Sequence, residues 1–394
     1  MRILYHHRTR GDGAEGIHIG EMITAFESIG HRVKLVCPWT GKRNLGLDRH
    51  QATVTTSGTQ RGWKLWLKQV VEILYNCVSF IRVGLATIVF RPNFIYERYS
   101  AYHVGGVFAS RLLGTPLVLE VNATFTGRFG SRFPVCFPRL LKFFESFALR
   151  KSTLVIVVSE ALKECVTEQG VDPNRVLVLP NAVNENKCAI ARQRLPEVTG
   201  ILREKLSLRS DFVIGFVGSL RKWHGIDFLI ESIPPILSKC PNCQFLIVGS
   251  GEMETNLKAF VEKESLSTRV LLNPGVEHDL VFDYLGLMTV GLMPDSNQFG
   301  SPMKIIEYMA MGVIPVAPDL EPIREIVEDR KTGMVFRQRD HHAFVDAIAT
   351  LYGDEKLRLQ LSKSAQEYVL SHCTWRINAE KTVSAIERLN ANHH

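Results

Sequence analysis

Short apolar runs alternate with segments of helical apolar spacing along the first half of the chain. The runs are rich in β-branched and aliphatic residues, which predicts buried strands of a parallel sheet covered by helices on both faces. A helix is predicted over residues 17–30, where it ends at a glycine, and another begins at Glu160. The predicted strands are 3–6, 32–37, 94–96, 117–121, 154–158 and 176–179.

The same alternation restarts after a polar stretch at 184–206, which lacks a clear period and is interpreted as irregular. The pattern therefore predicts two α/β domains in tandem, at 1–185 and 207–374, with a linker at 186–206. An amphipathic C-terminal helix at 375–394 could pack back on the N-terminal domain. The later strands are predicted at 212–217, 244–248, 270–272, 290–293 and 314–317, and helices at 227–237, 252–263, 303–311 and 323–327.

The most apolar stretch lies at 70–90 and is interrupted by Glu72, Asn76 and Arg82. A spanning helix needs about 20 mostly apolar residues. This stretch therefore predicts an amphipathic or buried helix instead. The first residues enter a strand without an apolar signal region.

Composition is that of an ordinary soluble protein, with 45% apolar and 22% charged residues among 394. The net charge of +7 is uneven, because residues 1–190 hold 24 Lys and Arg against 14 Asp and Glu. A basic front half favours a membrane surface, lipid phosphate or nucleic acid as partner, or it is solvated surface charge. Among eight scattered cysteines, only Cys240 and Cys243 have a CxxC spacing, which is a weak zinc or redox signal. The cysteine usage fits a reduced cytosolic compartment.

Residues 128–151 interleave phenylalanines with basic side chains. This pattern is typical of an interfacial helix on anionic lipid, and a core helix with a solvated basic face is the alternative. The phenylalanines are Phe129, Phe133, Phe137, Phe143, Phe144 and Phe147, and the basic residues are Arg128, Arg132, Arg139, Lys142, Arg150 and Lys151.

A GxGxxG sequence, Gly11 to Gly16, lies between the first strand and helix. Dinucleotide binding is disfavoured, because a polar run separates the strand from the glycines and no acid follows the second strand. The pattern favours a loop whose amides approach a phosphate or sugar at the helix start. His18 is a candidate ligand contact or a structural histidine.

Two further strand–glycine–helix segments occur in the second domain. The first runs through Gly218 and Ser219 to Arg221, Lys222 and His224. Amides and cationic side chains at a helix start form an anion site suited to a diphosphate leaving group, with an ordinary basic turn as the alternative. The second, Gly249 to Gly251, permits close backbone approach.

The segment from Phe299 to Gly312 begins with Ser301 as a candidate helix cap and Pro302 in the first turn. Glu307 follows one turn later, where a carboxylate can accept both hydroxyls of a ribose. Alternatively, Glu307 pairs with Lys304 on the surface. No Asp-X-Asp and no P-loop sequence occurs, so basic groups and helix dipoles must stabilise a departing diphosphate.

The ordered set of motifs resembles glycosyltransferase family 4, retaining enzymes of the GT-B fold, in which two Rossmann-like doubly wound domains face each other across a cleft. The resemblance implies that Glu307 binds the ribose and that Gly16 lies beside the donor. Lys304, Glu307 and Arg221 are the candidate catalytic residues, and His18, Asn122 and Asn181 lie on the acceptor side. The implied donor-binding residues are Gly16, Gly218, Ser219, Lys222, His224, Gly249, Gly251, Ser301, Pro302, Met303 and Ile305.

The chain departs from the family pattern at Phe299, Ser219, His224 and Asn122, where the family has Glu, Arg, Lys and His. Arg221, Lys222 and Lys304 are the candidates to supply the lost charge. These departures resemble a subset with Ser-Pro-X-Lys before the glutamate, found in cell-surface polysaccharide assembly.

The resemblance implies retaining transfer from a UDP- or GDP-sugar to a glycan or lipid-linked acceptor, with domain closure excluding water. No metal or cofactor and no nucleic acid is expected. The expected location is the cytoplasm, peripheral on the inner face of an anionic membrane. The rival functions are a nucleotide-sugar epimerase, a non-catalytic sugar-binding protein and an NAD-dependent oxidoreductase.

Overall fold

The computed structural model describes residues 1–9, 13–38, 62–132 and 134–391. They form two compact units, one of residues 1–180 with 375–391 and the other of residues 181–374. Each unit has one six-stranded sheet, and the strand pairs are parallel. The predicted fold class, two doubly wound α/β domains, is confirmed.

In the first unit the strand order is β2-β1-β3-β4-β5-β6. The central strands are buried along their whole length, as both faces of a parallel sheet must be. Chain order reverses beside β1, which pairs with both β2 and β3. The strands are β1 (Arg2–His6), β2 (Arg32–Val36), β3 (Phe94–Arg98), β4 (Leu117–Val121), β5 (Leu154–Val157) and β6 (Val176–Val178).

The helices of the first unit include the last helix of the chain, α14 (Trp375–Ala391), which packs on α1 (Gly13–Ser28). The ring of Trp375 lies edge-on to that of His18 with centroids 4.6 Å apart. The others are α2 (Gly62–Phe90), α3 (Gly105–Leu113), α4 (Pro138–Lys151) and α5 (Glu160–Glu168).

In the second unit the strand order is β12-β11-β10-β7-β8-β9. Its strands are β7 (Phe212–Val217), β8 (Cys243–Val248), β9 (Val270–Asn273), β10 (Val290–Leu292), β11 (Ile314–Pro318) and β12 (Met334–Phe336). Its helices are α6 (Glu185–Lys205), α7 (Ile226–Lys239), α8 (Glu254–Lys263), α9 (His278–Leu285), α10 (Met303–Ala310), α11 (Glu321–Arg324), α12 (His341–Gly353) and α13 (Glu355–His372).

The stretch interpreted as irregular, within which 186–206 was the expected linker, is instead helix α6. Its first turn is capped by Asn184, whose side chain accepts hydrogen bonds from the amides of Asn186 and Lys187. Cys188 and Ala191 are buried, and the helix packs on α9. The sequence is largely polar and places Pro196 inside the helix. The apolar pattern of the sequence therefore does not predict this helix.

The basic aromatic stretch at 128–151 does not form one continuous helix, as an interfacial helix would. It begins as a 3₁₀ turn, Gly127–Arg132, and α4 starts only at Pro138, which is favoured at the first helical positions. Phe129 is buried whereas Phe143 is exposed, so the described phenylalanines of this stretch do not share one exposed face. Phe133 lies outside the described residues.

Candidate active site

The topology of the second unit marks where its ligand site should lie. Chain order reverses between β7 and β10, which are hydrogen-bonded neighbours. In open α/β sheets, ligands bind beyond the carboxyl ends of the strands at such a switch point. The segments that follow these two strands carry the predicted residues Gly218 to His224 and Ser301 to Glu307.

Two glycine loops pack backbone to backbone at this edge. The amide of Gly218 donates to Val248 O at 3.0 Å, and that of Leu220 donates to Ser250 O at 3.0 Å. A β-carbon at Gly249, whose φ is +157°, would lie 1.9 Å from Gly218 O, and one at Gly251 would lie 2.5 Å from Leu220 O. These glycines allow one loop to approach the other.

Helix α10 is fixed at the switch point by Tyr308. Its hydroxyl accepts from the amide of Val217 at 2.9 Å and donates to Leu292 O at 3.3 Å, so it joins the last residues of β7 and β10. Gly291 leaves room for the ring, since a β-carbon there would lie 2.5 Å from it. The start of α10 is thereby held at the carboxyl edge of the sheet.

The start of α10 differs from the prediction. Pro302 occupies the N-cap position without a side-chain hydrogen bond, so it is not in the first turn, and Ser301 is not the cap. The Ser301 hydroxyl instead accepts from the amide of Asn181 at 2.9 Å, and Ser301 O accepts from Asn181 Nδ2 at 2.7 Å. Met303 therefore begins a helix whose N-terminus has no side-chain cap.

Lys304 places an unpaired ammonium group at the start of α10. Its Nζ atom is enclosed and has no hydrogen-bond partner among the described residues. It lies 4.3 Å from the ring centroid of Phe216, and a β-carbon at Gly218 would lie 3.3 Å from it. Burial lowers the pKa of Lys304 to about 7, although nearby Glu307 favours the charged form. An anion bound here would restore the full charge.

Glu307, one turn further, is nearly buried. Its Oε1 lies 2.7 Å from Nε2 of His278, the first residue of α9. Because Lys304 Nζ has no hydrogen-bond partner among the described residues, the alternative surface pair of Glu307 with Lys304 is not formed. The sequence analysis missed His278, which lies far from Glu307 along the chain and in no recognisable motif.

The basic residues of the Gly218 loop are not equivalent. Arg221 and Lys222 are exposed. The Nδ1 of His224 lies 2.6 Å from Ser219 O, and burial, aided by the Lys304 charge, lowers the pKa of His224 to about 3. His224 is therefore neutral at pH 7, and the cations of this loop are Arg221 and Lys222.

In the first unit, Glu120 joins residues from separate elements. Its Oε1 lies 2.5 Å from Arg98 and 3.1 Å from His18, and accepts a short hydrogen bond from Asn122. Its Oε2 accepts from Tyr96 at 2.8 Å. Burial alone would raise the pKa of Glu120, but His18 and Arg98 hold it well below its usual range.

A second buried cluster lies beside β1. His6 Nδ1 is 2.6 Å from Glu97 Oε2, and Ser79 Oγ lies 3.3 Å from both His6 and His103. His6, Glu97 and His103 are close enough to share a metal ion. However, two ligands of a tetrahedral zinc ion lie about 3.3 Å apart, so the His6–Glu97 distance is that of a hydrogen bond.

The structure distributes the remaining predicted residues between the units. Gly16 is buried in α1, while Gly11 and Asp12 lie outside the described residues. His18 and Asn122 meet at Glu120, whereas Asn181 contacts Ser301 in the second unit. Sequence reasoning missed Glu97 and Arg98, although charged residues in a buried strand are themselves a signal of function.

Both halves of the chain match glycosyltransferase families. Residues 13–182 match the family described as "Glycosyl transferase 4-like domain". Residues 211–354 match the family described as "Glycosyl transferases group 1".

Two curated relatives are glycosyltransferases. The chain is 26% identical to alpha-D-kanosaminyltransferase of Streptomyces kanamyceticus over 65% of its own length and 66% of that protein. It is 26% identical to UDP-Gal:alpha-D-GlcNAc-diphosphoundecaprenol alpha-1,3-galactosyltransferase of Escherichia coli over 70% and 72% of the two chains. The crystal structure of Anabaena Alr3699/HepE in complex with UDP-glucose superposes with a TM-score of 0.70 at 19% identity, covering 98% of this chain and 100% of that one.

Proposed function

Because this chain belongs to the glycosyltransferases and has the GT-B fold, we propose that it transfers a sugar with retention from a UDP- or GDP-sugar to an acceptor hydroxyl. The unpaired Nζ of Lys304 carries this proposal. It lies between the start of α10 and the Gly218 loop, so a donor diphosphate would supply the missing negative charge.

The parts of the donor would be held by different residues. Glu307, oriented by His278, would accept the ribose hydroxyls. The start of α10 has no side-chain cap, although the amide of Ile305 donates to Pro302 O at 3.2 Å. Its backbone at Met303 and Ile305 would face the phosphates or sugar. Arg221 and Lys222 would add positive charge as the leaving diphosphate develops, so we propose a reaction that requires no metal ion.

The proposed acceptor is a lipid-linked or cell-surface polysaccharide intermediate. Support comes from the Escherichia coli relative, a galactosyltransferase whose name gives alpha-D-GlcNAc-diphosphoundecaprenol as its acceptor. We place Asn122 and His18 on the acceptor side, where Glu120 holds both. A peripheral position on the inner face of the membrane would bring the protein to such an acceptor.

A nucleotide-sugar panel tests this function. Wild-type protein is incubated with UDP- and GDP-sugars, with and without a lipid-linked acceptor, and products are identified by mass spectrometry and by NMR of the anomeric proton. Transfer with retained configuration is expected. Conversion of the nucleotide sugar into its epimer without acceptor would identify an epimerase. Binding without turnover would identify a non-catalytic protein.

The Glu307→Ala variant tests the donor site itself. It should abolish nucleotide-sugar binding measured by calorimetry while the protein stays folded. Unchanged affinity would refute the role assigned to Glu307.

A further inference from the structure

Helix α2 has its apolar side towards solvent. Its 29 residues span about 43 Å at the usual helical rise. Large hydrophobic side chains recur every three or four positions and are exposed, from Trp63 through Leu74, Ile81 and Leu85 to Val89. That spacing places them along one side of the helix. By length and composition the helix could also cross a membrane.

The opposite side of α2 carries polar side chains that form hydrogen bonds with the rest of the first unit. Asn76 Oδ1 accepts from the amides of Val104 and Gly105 at 2.8 and 3.0 Å, and Asn76 Nδ2 donates to Tyr102 O at 2.8 Å. Gln69 Oε1 accepts from the hydroxyl of Tyr102 at 2.8 Å. A surface helix in water normally has the reverse arrangement.

These contacts exclude a spanning orientation for α2. A β-carbon at Gly105 would lie 2.8 Å from both Asn76 O and the Ser79 side chain, so the backbones of α2 and α3 touch. Crossing a bilayer would strip these polar groups of their partners and place them in hydrocarbon. The helix can meet a membrane only by lying along its surface.

Exposed apolar side chains continue from α2 onto α3 and α4. Trp66 approaches Phe137, just before α4, with ring centroids 6.3 Å apart. The ring centroid of Phe108 in α3 lies 5.0 Å from that of Phe147 in α4. The Phe147 centroid lies 6.3 Å from that of Phe143. We call the large apolar side chains that are exposed on the three helices the apolar face. They are Trp63, Trp66, Leu67, Val71, Leu74, Val78, Ile81, Leu85, Ile88, Val89, Phe108, Leu112 and Phe143.

The exposed charge on the three helices has one sign. On these three fully described helices no acidic side chain is exposed, because Glu72 is partly buried beside Arg8 and Glu145 is fully buried. The exposed charged residues are Lys64, Lys68, Arg111, Arg139, Lys142, Arg150 and Lys151. Exposed apolar side chains on helices whose exposed charge is entirely basic complement an anionic phospholipid surface.

We propose that the apolar face seats this protein on an anionic membrane, with α2 lying flat in the interface. This proposal rests on the peripheral location proposed above and assigns it a surface. The basic aromatic segment contributes Phe143 and its cations, while most of the apolar contact comes from α2.

Vesicle flotation with the full chain tests the surface. The double variant Leu74→Glu/Leu85→Glu should reduce binding to phosphatidylglycerol-containing vesicles at low salt at least tenfold. Its matched control, Ile201→Glu/Leu359→Glu, changes two equally exposed residues of the second unit, since Leu74 is 63% and Leu359 67% exposed. The control should bind as wild type does, and vesicles of phosphatidylcholine alone should bind less of every variant.

Several results would overturn the proposal. Equal binding of the double variant and wild type would reject this surface, and retention of wild type after alkaline carbonate extraction would reject the flat orientation. If wild type is a dimer, the double variant is a monomer and neither binds vesicles, the apolar face would be assigned to a second copy of the chain. Absence of vesicle binding by a monomer would also reject it. UDP affinity measured without vesicles tests the donor site separately, so either proposal can fail alone.

Discussion

Nε2 of His278 lies 2.7 Å from Oε1 of Glu307, although 29 positions separate the two residues. The histidine begins α9 and the glutamate lies in the first turns of α10. This partner fixes the orientation of the carboxylate that we propose accepts the ribose hydroxyls.

The His278→Ala variant should bind UDP about tenfold more weakly. A hydrogen bond to a charged group contributes about 1.5 kcal/mol, which corresponds to about tenfold in affinity. His278→Gln, which retains a donor, should recover part of the loss. Calorimetry measures both, with His342→Ala as control because that side chain is 84% exposed. Wild-type affinity in His278→Ala would remove His278 from the site.

Nucleotide binding should depend on the proton of Lys304. Because burial lowers its pKa to about 7, the amine is largely neutral at pH 8, and a bound diphosphate would draw a proton onto it. UDP affinity should therefore fall about tenfold per pH unit above pH 7, until the pKa of the bound state is reached.

The Lys304→Met variant isolates this effect. Calorimetry at pH 8 in buffers of different ionisation enthalpy should show proton uptake on UDP binding by wild type and none by Lys304→Met. Without UDP, the folded protein binds fewer protons than the unfolded chain between about pH 7 and 10.5. The wild-type free energy of unfolding should therefore rise across that window more than that of the variant. Equal proton uptake by both proteins would contradict the assignment.

Replacing Glu120 should destabilise the first unit. Glu120→Gln leaves the buried Arg98 without its carboxylate, which costs about 3 kcal/mol of unfolding free energy. Glu367→Gln is the control, since that carboxylate is 67% exposed. Chemical denaturation measures both, and a loss no greater than that of the control would deny Glu120 its structural role.

The acid sensitivity of the protein should change with Glu120 as well. Its pKa is held below the ordinary 4.5 by His18 and Arg98 despite burial. Its stabilisation is therefore fully present above about pH 4.5 and is lost as the pH falls below that value. Wild type should lose more stability than Glu120→Gln in this acidic range, as thermal melts at several pH values can show.

Gly249→Ala should weaken donor binding by separating the two glycine loops. The added methyl group would overlap Gly218 O at 1.9 Å. Gly353→Ala is the matched control, because nothing lies within 4 Å of a β-carbon there. We expect at least a tenfold loss of UDP affinity in the first variant and none in the second. Equal affinities would show that the loop contact does not shape the site.

The strands were predictable because parallel strands buried on both faces are short, uniformly apolar runs. The runs at 117–121 and 212–217 match β4 and β7 at both ends. Helix α6 was missed because only Cys188 and Ala191 are fully buried in it, Leu195 and Leu202 pack on the core only partly buried, and Pro196 interrupts the sequence.

The site was predictable where one segment carries it. Glu307 and Lys304 share a helix, and their spacing from Ser301 is visible in the sequence. Arg98 and Glu120 are instead paired across β3 and β4, so their relationship appears only when the strand register is known. The structure also corrected His224, whose charge is suppressed by burial that sequence patterns do not reveal.

Because α14 packs on α1 and Trp375 on His18, the first unit is built from both ends of the chain. During synthesis its sheet would be complete long before its last helix leaves the ribosome. The second unit, continuous from 181 to 374 among the described residues, could fold first. The first unit would then be sealed only after residues 375–391 have been synthesised, and a product truncated before Trp375 would keep an exposed α1.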